Sequence, residues 1–273
     1  LRKLKKKFSF HKVDISNNKK LEKILTTKID TIVNLAAQAG VRYSISNPEI
    51  YFKSNVIGFY NLLNIARKKK TNHLIYASTS SVYGESKKFP LKENYSCENP
   101  IQFYAATKLS NEIMAKSYSK VYNLKTTGLR FFTVYGPWGR PDMALFKFTK
   151  NIIENKKIEV FNYGNHKRDF TYIDDIVDGI IKIISKRRLR RNKSEIINLG
   201  NNKSINLMTY IHTLEKIIGK KSKKKYLKKQ SGDIVRTWSS VSKAKKLYLF
   251  KPKTNINVGI KQFIDWYKQY YKK

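Results

Sequence analysis

The chain has 273 residues, 41% of them hydrophobic, and its 57 Lys and Arg against 19 Asp and Glu give a formal net charge of +38. This length and hydrophobic content predict a folded protein with a sizeable core and exclude a disordered chain. No apolar stretch approaches the roughly 20 residues of a membrane-spanning helix, and no apolar signal segment opens the chain. Because the single cysteine, Cys97, allows no internal disulfide, we expect a cytoplasmic protein in a reducing compartment.

The positive charge is spread over every predicted helix and concentrates in four runs. Runs of this kind are usually solvated faces or loops, so nucleic acid is not expected as the main partner. A positive field would also attract an anionic substrate. The four runs are Lys5–Lys7, Arg67–Lys70, Lys186–Arg191 and Lys220–Lys229.

Short apolar runs and amphipathic segments alternate through the first half of the chain. This alternation predicts a parallel sheet covered by helices on both faces. The predicted strands are Phe8–Val13, Thr31–Ala36, His73–Ala77 and Thr126–Phe132. The predicted helices are residues 18–26, 103–122 and 48–69, the last with an apolar face of Val56, Phe59, Leu63 and Ala66.

After Gly136-Pro137 the pattern loosens. Short predicted strands at Ile158–Phe161 and Ile196–Leu199 lie among helices, and a terminal amphipathic helix is marked by Ile260, Phe263, Ile264 and Tyr267. We therefore predict an α/β fold, with a doubly wound, Rossmann-like parallel sheet over residues 1–134. A smaller, partly interleaved α/β domain is predicted over residues 135–273.

Tyr104 and Lys108, in the sequence Tyr-Ala-Ala-Thr-Lys, are the most informative pair in the chain. Residues four apart on a helix share a face, and an ammonium beside a phenol lowers the phenol pKa from its usual value of about 10. Such a tyrosine can take a proton from a sugar hydroxyl while a neighbouring cofactor takes the hydride. The spacing alone also fits a helix with one core tyrosine and one solvated lysine.

A nucleotide-binding sheet of this kind begins with a Gly-rich turn, where the N-terminus of the first helix holds the pyrophosphate. No Gly-x-x-Gly-x-x-Gly occurs in these residues, and the first glycine is Gly40. We therefore expect a fragment or truncated product without its first strand-helix-strand unit, with weak dinucleotide binding and little turnover. The alternative is a complete protein that needs no dinucleotide.

Five motifs place the Tyr–Lys pair in a wider pattern: Asn34–Ser44, Tyr76–Gly84, Tyr104–Lys108, Gly128–Met143 and Arg168–Asp175. Together they resemble the NAD-dependent epimerase/dehydratase family of the extended short-chain dehydrogenase/reductase superfamily, and most of all its UDP-glucuronate 4-epimerases. The resemblance covers about residues 10 to 240. It implies NAD as the cofactor, a UDP-sugar as the substrate and no metal, and it makes the predicted N-terminal domain the NAD-binding one.

The resemblance assigns catalytic roles to three side chains. Tyr104 would be the general acid/base, and Lys108 would lower its pKa and bond to the nicotinamide ribose. Thr79, three residues before Val82, would share the proton of the sugar 4-hydroxyl, although it also fits a hydroxyl that caps a turn. Together with Tyr104 and Lys108, the implied cofactor contacts are Asp14 near the adenine, Leu35, Ala36, Ala37 and Gln38 along the cofactor, Asn55 as a brace, and Phe132 beside the nicotinamide.

The resemblance also implies a substrate site. Arg168 would grip the diphosphate, because a planar guanidinium suits phosphate oxygens. Arg140 would bind the sugar carboxylate, or else form a structural salt bridge to Asp142. The remaining implied contacts are Asp233 at the ribose, Val160 and Phe161 at the uracil, and Thr133, Ser80 and Ser81 at the sugar.

Ser80 and Ser81 narrow the chemistry, since related dehydratases carry an acidic pair at these positions and related decarboxylases typically carry a glutamate. Serine cannot act as a carboxylate base, which leaves reversible oxidation at C4 and predicts 4-epimerisation of UDP-glucuronate to UDP-galacturonate. Open alternatives are another UDP-sugar epimerase, a decarboxylase or a catalytically silent binding protein. The helices at residues 48–69 and 103–122 would suit a four-helix homodimer interface.

Overall fold

The structure is a computed structural model that describes residues 8–186 and 194–272. Two predicted positive runs, Lys5–Lys7 and the part of Lys186–Arg191 after its first residue, lie outside the described residues. The α-helices of the described chain are α1 Asn18–Ile24, α2 Tyr43–Ser46, α3 Pro48–Tyr51, α4 Gly58–Lys68, α5 Phe103–Tyr122, α6 Ala144–Ile153, α7 Ile173–Ser185, α8 Leu207–Ile218, α9 Ser242–Tyr248 and α10 Ile256–Tyr271.

The strands pair in one larger sheet and three small ones. The larger sheet has the order β1-β2-β3-β8, and the small sheets pair β10 with β5, β4 with β7, and β6 with β9. These strands are β1 Thr31–Asn34, β2 His73–Thr79, β3 Thr126–Phe131, β4 Thr133–Tyr135, β5 Lys157–Phe161, β6 Lys167–Arg168, β7 Phe170–Tyr172, β8 Ser194–Leu199, β9 Ile205–Asn206 and β10 Lys223–Leu227. The parallel pairing of β1 with β2 and the intervening helices confirm the predicted α/β class.

The chain divides into two compact units that interleave along the sequence. The first comprises the residues up to Ser78, then Gln102–Gly128 and a short piece that ends at Glu195. The second comprises Thr79–Ile101, the residues from Leu129 to the gap, and those from Ile196 onward. The predicted domain boundary near residue 134 stays a prediction.

Each unit has its own apolar core. In the first, α4 contributes Phe59, Leu63 and Ala66, which pack with Leu74 and Tyr76 of β2. Three of the four residues of the predicted apolar face are thus in the core, while Val56, which precedes α4, is half-buried. In the second, α10 contributes the four residues that the sequence marked as amphipathic, namely Ile260, Phe263, Ile264 and Tyr267, all buried. No helix of the described chain is long and apolar enough to cross a membrane.

One local prediction was wrong. Residues Phe8–Val13 are irregular rather than a strand, and Phe10 is 76% exposed. A strand requires a neighbour that pairs with its backbone, and alternating apolar residues cannot supply one. The long helix predicted at residues 48–69 is present from Pro48 to Lys68, and a π-helical segment, Phe52–Ile57, lies between α3 and α4.

Candidate active site

Helix α5 places Tyr104 and Lys108 on one face. The helix starts after Gln102, whose backbone is extended and whose carbonyl accepts the N–H of Ala106 at 3.1 Å. Tyr104 lies in the first turn and is half-buried. Lys108 lies one turn further along and is only 2% exposed. The alternative of a solvated lysine at this position is therefore wrong.

The burial of Lys108 changes its chemistry. Removal from water disfavours the charged ammonium and lowers the pKa of Lys108 to about 8, while the negative charge of Glu112 acts in the opposite direction. A buried lysine with this pKa can hold a proton at neutral pH and can also release it. The group that sequence spacing placed beside Tyr104 is thus an ionisable group inside the core.

Tyr51, which sequence reasoning missed, holds the ring of Tyr104 in place. The two rings pack edge to face, with centroids 6.1 Å apart. Tyr51 is fully buried, and its hydroxyl donates to the backbone oxygens of Ala39, at 3.1 Å, and Gly40, at 2.5 Å. The loop after β1 and the ring of Tyr104 are therefore attached to the same side chain.

Asn55 is hydrogen-bonded to two elements of the first unit, and its predicted role beside the cofactor stays a prediction. It lies in the π-helical segment and is 1% exposed. Its Oδ1 accepts the N–H of Gln38 at 2.8 Å, and its Nδ2 donates to the oxygen of Gln38 at 3.0 Å and to Oγ1 of Thr107 at 3.1 Å. One side chain thus joins the loop after β1 to the helix that carries Lys108. Single-turn π segments are frequent at functional sites.

The carboxyl end of β1 presents a solvent-facing, small and apolar surface. Leu35 is 55% exposed, and Ala36 and Ala37 are also exposed. The turn is fixed by Asn34, whose Oδ1 accepts the N–H of Ala36 at 3.1 Å. A flat dinucleotide requires close approach to such a surface at the end of a parallel strand, so these residues fit NAD.

Asp14 occupies a turn in the same unit. Its Oδ1 accepts the N–H of Ser16 at 2.9 Å, and this hydrogen bond is the main reason that the carboxyl pKa is lowered. The side chain is exposed and charged. Its turn geometry is observed, and its contact with the adenine stays a prediction.

The hydroxyl run at the end of β2 divides between two roles. Ser78 donates from Oγ to Oε1 of Glu112 at 2.5 Å in the first unit. Thr79 caps the following single 3₁₀ turn, since its Oγ1 accepts the N–H of Ser81 at 3.2 Å. Ser80 is buried and Ser81 half-buried in that turn. The capping geometry is that of the alternative named for Thr79, and its catalytic role stays a prediction.

Thr133 and Arg140 line one cavity in the second unit. The cavity walls are otherwise largely apolar and include Phe146, Phe170 and Tyr210. The guanidinium of Arg140 forms a bidentate pair with Asp142, with Nε to Oδ1 at 2.9 Å and Nη2 to Oδ2 at 2.6 Å. The salt bridge considered from the sequence is therefore present, and its arginine lines the same cavity as Thr133.

The other candidate residues of the second unit lie on short strands and loops. Phe132 is buried against Tyr83, with ring centroids 6.5 Å apart. Val160 is buried and Phe161 half-buried at the end of β5. Arg168 is held by the backbone oxygen of Val235, 2.9 Å from its Nη1. Val235 is two residues after Asp233, so these two predicted nucleotide contacts lie on neighbouring segments.

A parallel α/β sheet with a buried lysine one helical turn after a half-buried tyrosine is typical of one class of protein, the nucleotide-dependent enzymes that transfer a proton and a hydride. A family model agrees: the NAD dependent epimerase/dehydratase family matches residues 1–200. The chain belongs to that family.

Named relatives narrow the comparison. The chain is 46% identical to Protein CapI of Staphylococcus aureus over 98% of its length and 85% of that protein. It is 43% identical to the UDP-glucuronate 4-epimerase of Thermodesulfobacterium geofontis, over 96% of its length and 80% of that protein. Its backbone also matches the UDP-glucuronic acid 4-epimerase of Bacillus cereus in complex with UDP-glucuronic acid and NAD, with a TM-score of 0.88, 35% identity, and coverage of 97% of this chain and 82% of that one.

These findings confirm the predicted family, the Rossmann-like α/β fold, the class of NAD-dependent enzyme and NAD as the cofactor. They leave the roles of individual residues as predictions. Three residues of the site were missed from the sequence: Tyr51, Ser78 and Glu112. Two of them carried a signal, since Tyr51 precedes Asn55 by four residues and Glu112 follows Lys108 by four, the spacing of one helix face.

Proposed function

We propose that the protein is a UDP-uronate 4-epimerase that interconverts UDP-glucuronate and UDP-galacturonate through a 4-keto sugar. The observation that carries the proposal is the fully buried Lys108 one turn after Tyr104, together with serines at positions 80 and 81, where elimination or decarboxylation would need a carboxylate. Relatives named UDP-glucuronate 4-epimerase support the choice of sugar.

In the proposed reaction, Tyr104 acts first as a base and then as an acid. Its phenolate removes the proton of the sugar 4-hydroxyl, directly or through the hydroxyl of Thr79, and the charge of Lys108 favours the phenolate. The residues at the carboxyl end of β1 would hold NAD, which would supply the acceptor and the donor for the hydride at C4. Between the two transfers the keto sugar rotates about its diphosphate linkage, so that Tyr104 protonates the oxygen of the opposite epimer.

The keto sugar is a β-keto acid, which loses CO2 when its carboxylate bond aligns with the carbonyl π system. We assign Arg140, Thr133, Ser80 and Ser81 to holding the carboxylate out of that alignment. Support comes from the cavity that Thr133 and Arg140 share. To bind the substrate, the Arg140 guanidinium exchanges the carboxylate of Asp142 for that of the sugar.

We assign the nucleotide to the residues around β5 and β6. Arg168 is oriented by its hydrogen bond to Val235 and would bind the diphosphate. Asp233 would face the ribose, and the strand end at Val160 and Phe161 would present backbone groups to the uracil. These assignments follow the family pattern and the proximity of the two segments in the second unit.

The substitution Tyr104→Phe tests the proposal, because it removes only the hydroxyl that moves the proton. We expect turnover of UDP-glucuronate to fall by about 10²- to 10⁴-fold, the usual contribution of a general acid/base, with NAD affinity and melting temperature preserved. The matched control is Tyr118→Phe on the same helix, whose hydroxyl donates to Asn64 at 2.8 Å. Equal activity in the Tyr104 variant and the control would refute the role of Tyr104.

We further propose that two copies of the chain form a homodimer through α4 and α5. These helices pack together in the first unit, yet large apolar side chains on them face solvent: Tyr60 is 47% exposed, Ile113 62% and Val121 67%. Matching faces from a second copy would cover them as a four-helix bundle. Ile113→Glu should then convert a dimer into a monomer in light scattering, and a wild-type monomer would refute the assembly.

A further inference from the structure

Helix α5 continues the catalytic face by one more turn. Tyr104, Lys108 and Glu112 are spaced by four residues, which places them in one row along the helix. Lys108 is 2% exposed and Glu112 is 7% exposed. We propose that Glu112 is a positioning residue which, anchored by Ser78, keeps Lys108 charged and in place beneath Tyr104. The inference rests on the proposed function only in one respect, namely that the charge of Lys108 favours the phenolate of Tyr104.

The anchor of Glu112 comes from the sheet. Ser78, at the penultimate position of β2, is 3% exposed and donates from Oγ to Oε1 of Glu112 at 2.5 Å. This bond joins residues that are 34 apart in the sequence, and it attaches the carboxylate of α5 to strand β2. An unpaired charge in such a buried position is costly, so the carboxylate and the ammonium one turn away stabilise each other.

The two influences on Lys108 oppose each other. Burial lowers the pKa of Lys108 to about 8, and the charge of Glu112 raises it. Tyr104 and Glu112 are the other titratable groups of this row, and Tyr51 packs on it from α3. Strand β2 contributes Ser78, which bonds to Glu112. Tyr76, which is also on β2, packs on Phe59 instead, with ring centroids 4.9 Å apart. Without Glu112, burial would act alone and Lys108 would lose its proton at lower pH.

The charge state of Lys108 can be measured without substrate. In the folded state Lys108 releases its proton at lower pH than in the unfolded state, so the free energy of unfolding rises with pH between the folded and unfolded pKa values, about 8 and 10.5. Lys108→Met removes this rise, and the difference between the two proteins across pH isolates it. The comparison with and without Lys108→Met is then repeated in the Glu112→Gln background. There the free energy of unfolding should begin to rise at a pH about one to three units lower, which is the shift that an opposite nearby charge produces.

Two further variants keep the test decisive. Ser78→Ala leaves the Glu112 charge in place but removes its anchor, so a smaller shift in the same direction is expected even if Glu112→Gln fails to fold. Glu215→Gln is the matched control, because Glu215 is another buried glutamate that accepts a serine hydroxyl at 2.5 Å, from Ser222, and it is bonded to a lysine, Lys224. It should reduce stability without moving the Lys108 titration.

An unmoved Lys108 titration in both Ser78→Ala and Glu112→Gln would overturn the inference and leave Glu112 a structural residue. In the activity arm, the alkaline decline of kcat should begin at lower pH in Glu112→Gln than in the wild type. If the titration moves but the wild type does not epimerise UDP-glucuronate, the proposed function fails and the role of Glu112 stands. If the wild type epimerises UDP-glucuronate but the Lys108 titration does not move, the proposed function stands and the role of Glu112 fails.

Discussion

Lys108 and Arg140 show which properties of a residue can be predicted from its neighbours in the sequence and which cannot. The Tyr104–Lys108 spacing predicted a shared helix face, because helix geometry fixes which residues are neighbours. It did not predict that Lys108 is buried, since burial depends on the elements that pack against α5, which lie far away in the sequence. The Arg140–Asp142 pair was foreseeable as an alternative, because the two residues are close in sequence and opposite in charge.

At the residue scale, Arg140→Ala tests the carboxylate site. Without the guanidinium the carboxylate of the keto sugar is free to rotate, so we expect a higher fraction of UDP-pentose and CO2 among the products and a higher KM. Asp142→Ala is the control, because it removes the bidentate partner and leaves the guanidinium. Product ratios by anion-exchange chromatography give the answer, and an unchanged ratio in Arg140→Ala would exclude this role.

At the scale of elements, hydrophobic periodicity predicted the positions of helices and strands well, but it did not predict features that depend on backbone hydrogen bonds. Apart from the strand predicted at Phe8–Val13, the strands and long helices predicted from the hydrophobic pattern are present, and their bounds agree within a few residues. The π-helical segment at Phe52–Ile57 left no mark in that pattern, because one extra residue per turn changes the backbone hydrogen bonds without changing residue types. That segment nevertheless places Asn55 at the site.

The junction of α8 and β10 depends on Glu215. Burial alone would raise its pKa, but hydrogen bonds from Lys224 and Ser222 outweigh it and lower the pKa to about 2. A depressed carboxyl pKa stabilises the fold above the unfolded value of 4.5, and this contribution disappears as pH falls towards 2. Glu215→Gln should therefore cost up to about 3 kcal/mol at neutral pH and almost nothing near pH 2. Urea unfolding of both proteins across pH provides the check, and a pH-independent difference would contradict it.

At the scale of the whole molecule, the net charge is easier to predict from the sequence than the division into two interleaved units. Composition gives the +38 directly. The interleaving of residues 79–101 and 194–195 depends on long-range contacts that no local pattern encodes. The family match came from motifs dispersed over both units, which is why the sequence was sufficient to identify the enzyme class.

The net charge predicts a salt effect on the capture of substrate. A positive field attracts the diphosphate and carboxylate of a UDP-uronate, and it weakens as the Debye length falls from about 10 Å at 0.1 M salt to about 3 Å at 1 M. We expect kcat/KM to fall several-fold over that range while kcat changes little. A neutral osmolyte at equal osmolarity should have no such effect, and a kcat/KM independent of salt would show that the charge has no part in binding.

The most direct test is to incubate the protein with NAD in excess and UDP-glucuronate that carries deuterium at C4, and then to examine the sugar by NMR. We predict slow turnover that gives UDP-galacturonate with deuterium still at C4, because the same hydride returns to the opposite face, and little UDP-pentose. Loss of the label to solvent, a pentose as the main product, or conversion of UDP-galactose with no conversion of UDP-glucuronate would contradict it.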